Sequence, residues 1–540
     1  MSTETSYDRG PHEPALLEDT IGENFEATVR AHPDAEALVE VASGRRWTWT
    51  ELDAAVDALA RGLIGAGLER GDRVGMWAPN CAEWTIAQYA TAKTGVVLVN
   101  VNPAYRTHEL AFAVNQSGMR LLLAASSFKT SDYRGMVEQV RGECPALERA
   151  VFVDTDDWDA LLADGADVPA GAVAERMATL DARDPINIQY TSGTTGRPKG
   201  ATLSHRNILN NGFFTTELIN LGPEDRLCIP VPFYHCFGMV MANLGCTSHG
   251  TTMVIPAPGF DAEATLRAIA DERCTGVYGV PTMFIAMLNH PTFAEHDLSS
   301  LRTGIMAGSI CPVEVMKRCI AEMHMSEVSI AYGMTETSPV SCQTRSDDDL
   351  DRRTASIGRV HPHLEIKVVD PATGETVGRG TTGELCTRGY SVMLGYWEEP
   401  EKTAEAIDAD GWMHTGDLAE MRPDGYCNIV GRIKDLVIRG GENVYPREVE
   451  DFLYTHPDIE DVQVIGVPDE KYGEELCAWV KMKAGAEPLD AAAVRAFCDG
   501  RLAHFKVPRY VMVVEEFPMT VTGKVRKVEM RETTAARLGL

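Results

Sequence analysis

The sequence predicts an α/β protein with a large N-terminal domain of helices and largely parallel strands, followed by a small α+β domain. Two observations carry this expectation. In the N-terminal half, helical and strand-like apolar periods take turns, the rhythm of parallel sheets covered by helices. After about residue 430 the pattern changes to short strands and turns interleaved with helices, about 100 residues in all. At roughly 150 residues per domain, a chain of 540 residues holds two to four structural units.

The elements follow in order. Residues 51–68, ELDAAVDALARGLIGAGL, space their apolar positions as a helix does and end near glycine. DRVGMWAPN opens as a strand, WTIAQYATAKTG reads as a helix, and VVLVNVNP, ending at Pro103, reads as a strand. Ile186, Asn187, Ile188, Gln189 and Tyr190 alternate apolar and polar, the mark of a half-buried strand. The glycine-rich stretch that begins at Tyr190 therefore sits on a loop directly after a strand. ATLSH is the strand that leaves it, and a helix is expected to begin near Asn207. In the C-terminal part DVQVIGVPD and ELCAWVKMK read as strands, and PREVEDFLYTHP and DAAAVRAFCDGRLAH as helices. GRIKDLVIRGGENVYP (431–446) is the expected joint, with Gly440 and Gly441 free to adopt unusual backbone angles.

Composition removes several classes. Hydrophobic content of 44% and charged content of 24% are those of a soluble globular chain. With 79 acidic and 50 basic residues the formal charge is −29, which repels nucleic-acid phosphates and anionic membranes. Any anionic substrate has to be met by local positive features. Thirteen cysteines, irregularly spaced and without a CxxC pair, argue against a disulfide framework or a zinc ribbon. No signal peptide, no transmembrane run and no peroxisomal SKL ending is read, so a cytoplasmic protein is expected.

Residues 190–205, YTSGTTGRPKGATLSH, crowd glycines and hydroxyls around one lysine. Glycines let backbone N–H groups turn toward an anion, hydroxyls add donors, and a lysine adds a point charge suited to phosphate. Thr191, Ser192, Gly193, Thr194, Thr195, Gly196 and Lys199 thus read as a phosphate cradle; the bland alternative is a surface turn. The loop is not a P-loop. That motif needs GxxxxGK[ST], whereas here Pro198 precedes the lysine and Gly200 follows it, which removes the kinase and GTPase readings.

YTSGTTGRPKG resembles the phosphate loop of the adenylate-forming enzymes: acyl-CoA synthetases, aryl-acid CoA ligases, luciferases and the adenylation domains of peptide synthetases. Further segments resemble that family's motifs, in its order: PFYHCFG (232–238), MAGSICP (306–312), AYGMTETSP (331–339), residues 411–450 and PMTVTGKVRK (518–527). The resemblance spans roughly residues 20–535. HCFG, YGVPTMF, AGS, RGYSVMLGYW and IRGGENVYP are most similar to the medium-chain acyl-CoA synthetase branch. AGS stands where many other members have GGA, which leaves the adenine-side contacts of Gly308 and Ser309 open.

The resemblance implies a β-rich portion within the N-terminal domain (1–431), a hinge at 432–434 and a mobile C-terminal domain (435–540). It implies ATP, Mg²⁺ and coenzyme A, and two half-reactions: a carboxylic acid becomes acyl-AMP with loss of pyrophosphate, then the coenzyme A thiol takes the acyl group and AMP leaves. Thr191–Lys199 would hold the departing phosphates, with Thr335 adding a hydroxyl and Glu336 ligating Mg²⁺. Tyr332 and Gly333 would lie along adenine, Asp417 would take the ribose hydroxyls, and Arg432 would contact the nucleotide. Lys524 would neutralise the transferring carboxylate and the α-phosphate. Lys434 is the pivot, and the Gly440–Gly441 loop would face the pantetheine tunnel. His235 would orient the acid, gate its pocket or simply pack. Phe237, Gly238, Met239, Tyr278, Gly279 and Met283, with Gly308, would line an apolar acid pocket suited to an aliphatic tail.

An aryl-acid CoA ligase shares every nucleotide motif, and an acyl-AMP ligase with another acceptor shares most; both stay open. A non-catalytic nucleotide-binding protein is the rival from another class, and the presence of Glu336, Asp417, Arg432 and Lys524 together speaks against it. A homodimer is the candidate assembly, and the residues do not decide it.

Overall fold

The computed structural model describes residues 4–191, 198–309, 311–440, 442–519 and 525–540. Ser192, Gly193, Thr194, Thr195, Gly196, Gly441 and Lys524 lie outside the described residues. The chain divides into two compact units: residues 8–366 with 387–413, and residues 1–7 with 367–386 and 414–540.

The larger unit is built on two sheets. One has seven strands in the order Gly395–Tyr396, Lys199–Ser204, Pro185–Thr191, Val97–Asn100, Arg73–Trp77, Leu121–Ala124 and Arg149–Phe152. From Pro185–Thr191 onward its neighbours are parallel, and the other edge is antiparallel. The second sheet has nine strands, parallel from Glu327–Gly333 across to Glu36–Glu40, with antiparallel strands at both edges. The α/β expectation therefore holds, with antiparallel edges added.

Helix Trp49–Gly65 shows why the periodicity was readable. Thr48 and Glu51 form a capping box, and Leu52, Val56, Leu59, Ala60 and Leu63 are buried on one face. Helix Ala82–Thr94 is different, because every one of its residues is buried. It carries Lys93 into the interior, where the ammonium pairs with Asp53 and Asp57 at 2.7 Å each, and Gly95 ends it at φ 71°.

Two expectations need correction. Strand Pro185–Thr191 is not half-buried along its length: Asn187 and Gln189 are as buried as Ile186 and Ile188. Asn187 tolerates this because its amide donates to the Leu98 carbonyl (2.9 Å) and to Asn100 Oδ1 (2.8 Å). The following helix, His205–Glu217, starts at His205 rather than near Asn207, because Ser204 caps it and its hydroxyl accepts from the Asn207 N–H.

The smaller unit takes in most of a five-stranded sheet ordered Tyr7–Arg9, Leu364–Val369, Gly383–Gly389, Met413–Met421 and Cys427–Arg432, whose strands carry the chain from one unit to the other. Its C-terminal part is a second sheet around the long hairpin Ile459–Asp469 and Gly473–Met482, with Tyr510–Val513 parallel to the latter. Helices Pro446–Leu453, Ala491–Cys498 and Lys527–Leu538 cover it. Val449, Leu453, Val462, Val464 and Val494 fill one core. Ile465, Val467, Cys477, Trp479 and Met530 fill another, and there the Trp479 indole donates to Thr534 Oγ1 at 2.8 Å. No helix among the described residues is long and apolar enough to cross a membrane.

Candidate active site

In the larger unit, the two strands around the glycine-rich stretch are antiparallel neighbours with Thr191 opposite Lys199. The loop therefore leaves and returns at one paired position. The second approach comes from Glu327–Gly333 and Val340–Gln343, which are joined by the one-turn 3₁₀ helix Thr335–Thr337. The turn is tight enough that a Cβ on Gly333 would lie 1.7 Å from the Pro339 carbonyl oxygen, so only glycine fits. It buries Thr335 and Glu336.

Glu336 meets the strand pair directly. Its Oε1 accepts from Thr191 Oγ1 at 3.2 Å and from the Tyr396 hydroxyl at 2.9 Å. Burial, and after it the charge of Glu336, pushes the Tyr396 phenol up, so it stays protonated and donates. The Lys199 ammonium lies over the Tyr396 ring, 4.6 Å from its centroid. Thr191, Lys199, Thr335 and Glu336 are thus brought together, and Tyr396 joins them. Tyr396 was missed because nothing local links it to Glu336; the only signal was its place in RGYSVMLGYW.

A buried carboxylate is normally paired with a cation or ligates a metal. Among the described residues the side-chain partners of Glu336 are hydroxyls. A hard, oxygen-seeking cation such as Mg²⁺ fits this donor.

The expected pocket residues cluster nearby in the same unit. Phe237, Gly238 and Met239 open a π-helical segment, Phe237–Leu244, and all three are buried. Tyr278 and Gly279 end strand Gly276–Gly279, and Met283 lies on helix Pro281–Leu288, half-buried. Phe237 stacks on Tyr278 with ring centroids 5.5 Å apart. The Met239 thioether is pinned by the amides of Asn100 (3.0 Å) and Gln189 (3.3 Å). His235 stands in the turn before this helix, where its Nδ1 accepts from the Phe237 N–H at 3.2 Å. The neighbouring Cys236 Sγ lies 3.9 Å from Thr335 Oγ1, which ties that turn to the Glu336 turn. Gly308 follows strand Thr303–Ala307 at the left-handed φ of 88°, and both it and Ser309 are exposed. Tyr332 is half-buried opposite Cys342.

In the smaller unit, Asp417 and Arg432 are cross-strand partners, and Arg432 Nε donates to Asp417 Oδ1 at 3.1 Å. The strand carrying Asp417 is fastened to the neighbouring strand: the Gly416 N–H and His414 Nδ1 donate to Glu384 (3.0 and 2.8 Å), and Thr415 Oγ1 donates to the Leu385 carbonyl (2.6 Å). Glu384 was not expected, since it lies 30 residues from His414 in sequence. Lys434 sits in the 3₁₀ turn Ile433–Asp435, where its carbonyl accepts from Arg531 (3.3 Å), which also pairs with Asp435 (2.7 Å). Gly440 adopts φ 61°, and its N–H donates to the Tyr472 carbonyl (2.8 Å).

Comparison with known proteins gives the class. Residues 25–397 match the AMP-binding enzyme family and residues 448–524 its C-terminal domain. The chain belongs to that family. The mitochondrial medium-chain acyl-CoA ligase ACSF2 of Danio rerio is 46% identical over 99% of this chain and 92% of its own. ATP-bound MatB from Rhodopseudomonas palustris superposes with a TM-score of 0.85 at 30% identity, covering 96% of this chain and 99% of its own. The anthranilate CoA ligase AuaEII, in complex with anthranoyl-AMP, gives 0.85 at 26% identity, over 97% and 99%. The protein is an acyl-CoA synthetase of the adenylate-forming superfamily.

Proposed function

We propose that this enzyme activates a medium-chain fatty acid with ATP and passes the acyl group to coenzyme A. The observation that carries the chemistry is the buried Glu336, held by Thr191 and Tyr396 where the phosphate-type loop begins and ends. The apolar residues Phe237, Met239 and Tyr278, and the full-length similarity to a medium-chain ligase, support an aliphatic acid.

In the first step a carboxylate oxygen of the acid attacks the α-phosphorus of ATP and pyrophosphate leaves. Residues 191–199 hold the departing phosphates, and Lys199 supplies one of the positive charges. Thr335 adds a hydroxyl, and Glu336 would hold Mg²⁺, which would supply neutralisation of phosphate charge. Tyr332 and Gly333 flank adenine near Gly308 and Ser309, Asp417 accepts from the ribose hydroxyls, and Arg432 steadies Asp417 and the nucleotide. Lys524 offsets the charge of the two anions as they meet. In the second step the coenzyme A thiol attacks the acyl carbon, its proton leaves to solvent, and AMP departs. Residues 432–434 act as hinge, with Lys434 at the pivot, and the Gly440–Gly441 loop borders the thiol's path. His235 orients the acid from the turn before the pocket helix. We assign the protein to the cytoplasm, a reading supported by thirteen cysteines of which none is in a disulfide.

The test is AMP release with ATP, Mg²⁺ and acids from acetate through octanoate and palmitate to benzoate and coumarate, each with and without coenzyme A. A coenzyme-A-dependent maximum at octanoate is expected. A maximum at benzoate or coumarate would overturn the aliphatic assignment and keep the mechanism; AMP release indifferent to coenzyme A would overturn the acceptor.

A further inference from the structure

Away from Glu336, the smaller unit holds a second convergence of chemically active side chains. Glu384 and Cys386 are two residues apart on strand Gly383–Gly389, so their side chains share one face. His414 lies on the neighbouring strand Met413–Met421. A carboxylate oxygen, the thiol sulfur and an imidazole nitrogen all lie within 4.8 Å of one another.

We propose that Glu384, Cys386 and His414 form a binding site for a borderline-soft divalent cation, Zn²⁺ in particular. Zinc with bonds of about 2.3 Å to sulfur and about 2.0–2.2 Å to nitrogen and oxygen sets tetrahedral edges of about 3.6 Å for S···N and about 3.4 Å for N···O. Cys386 Sγ lies 3.5 Å from His414 Nδ1, which is already that edge. His414 Nδ1 lies 2.8 Å from Glu384 Oε2, an N–H···O hydrogen bond that has to open by roughly half an ångström when a cation replaces the proton. The donor set decides the metal. One sulfur, one nitrogen and one oxygen suit zinc, whereas magnesium and calcium take oxygen alone.

The surroundings suit a bound ion. Glu384 Oε1 is held by the Gly416 N–H at 3.0 Å, so the carboxylate is oriented by an outer partner. Cys386 is fully buried, while the His414 side chain is 32% exposed, which gives entry from the imidazole side and leaves the fourth position to water. Binding releases the thiol proton to solvent, and the His414 ring takes the tautomer with its proton on Nε2, giving the Nδ1 lone pair to the metal. Because Glu384 also fastens the strand that carries His414 and Asp417, a bound metal would alter ATP use. That consequence, unlike the binding itself, rests on Asp417 holding the ribose.

The experiment uses the full-length protein stripped with a chelator and titrated with Co²⁺, a spectroscopic substitute for zinc, followed by zinc content after dialysis. One metal per chain is expected, with a cobalt–thiolate charge-transfer absorption that vanishes in Cys386→Ser and persists in Cys81→Ser. His414→Gln and Glu384→Gln should each weaken binding at least about 10-fold. No thiolate absorption in the wild-type protein overturns the site, whatever the variants do. So does an absorption that survives Cys386→Ser, or, should that variant fail to fold, affinity unchanged in both other variants. A raised KM for ATP in the zinc-loaded enzyme would extend the site to regulation; an unchanged KM with metal bound would limit it to binding and count against the ribose role of Asp417.

Discussion

At the scale of single residues, Glu336 and His205 show two uses of a buried titratable group. Glu336 turns a carboxyl oxygen to the hydroxyls of Thr191 and Tyr396, and an oxygen donor is what the proposed Mg²⁺ site asks for. Glu336→Gln preserves an oxygen that accepts from Thr191 and Tyr396 but removes the charge. Pyrophosphate release should fall by about 10²–10³-fold, the cost of one preorganised electrostatic contact, with little change in thermal unfolding; a rate within about threefold of wild type would reject Glu336 as the metal ligand. His205 is buried as the neutral ring. Its Nδ1 accepts from the Ile21 N–H at 3.2 Å, and its Nε2 has no partner among the described residues. Burial lowers its pKa to about 4. The unfolded chain takes up this proton near pH 6.5 and the folded chain does not, so stability is full above about pH 6.5 and is lost as pH falls toward 4. Between pH 7 and pH 5 the loss from this group is about 2 kcal/mol. His205→Asn keeps an acceptor without the titration, and urea unfolding at the two pH values should show a correspondingly smaller drop. An equal drop would mean that the proton is taken up elsewhere, for example at His361, which burial also holds well below the usual histidine range.

At the scale of elements, the periodic segments were readable and the exceptions have physical causes. Helix Trp49–Gly65 and strands Arg73–Trp77 and Val97–Asn100 could be read because one face or the whole element is apolar. The burial of Asn187 and Gln189 could not, since a buried amide looks like a solvent-facing one until its partners are known. The π-helical turn at Phe237–Leu244 has no period of its own to detect. Thr191, Lys199 and Glu336 were legible through loop composition and resemblance, whereas Tyr396, Glu384 and the Cys386–His414 approach arise only when distant strands pair. The proposed hinge at residues 432–434 is the element that most needs a test. The turn Ile433–Asp435 is 3₁₀, and a proline in place of Lys434 fixes φ there, so Lys434→Pro stiffens the proposed pivot. Thioester formation from preformed acyl-AMP should collapse while pyrophosphate release persists. Lys524→Ala should do the reverse, losing adenylation by about 10²–10³-fold and sparing the thioester step. If each variant damaged both half-reactions equally, separate poses for the two steps would be untenable.

At the scale of the whole molecule, the charge of −29 stands against the chemistry proposed for it. ATP and coenzyme A are anions, and the long-range field of this chain repels both. In the proposed mechanism, attraction is left to a few local cations, Lys199 and Arg432 among the described residues and Lys524 outside them. These two influences differ in range, so salt separates them. The Debye length shrinks from about 30 Å at 0.01 M to about 8 Å at 0.15 M ionic strength. Added salt therefore removes most of the repulsion from the distant surface before it weakens contacts of a few ångströms. For most nucleotide enzymes that steer their substrate with positive fields, salt slows capture; here the sign should invert. Between those two ionic strengths, with an inert salt and free Mg²⁺ held constant, kcat/KM for ATP should rise on the order of two- to fivefold. A fall would mean that the local cations dominate even at long range, and that the acidic residues are spread where the approaching nucleotide does not feel them.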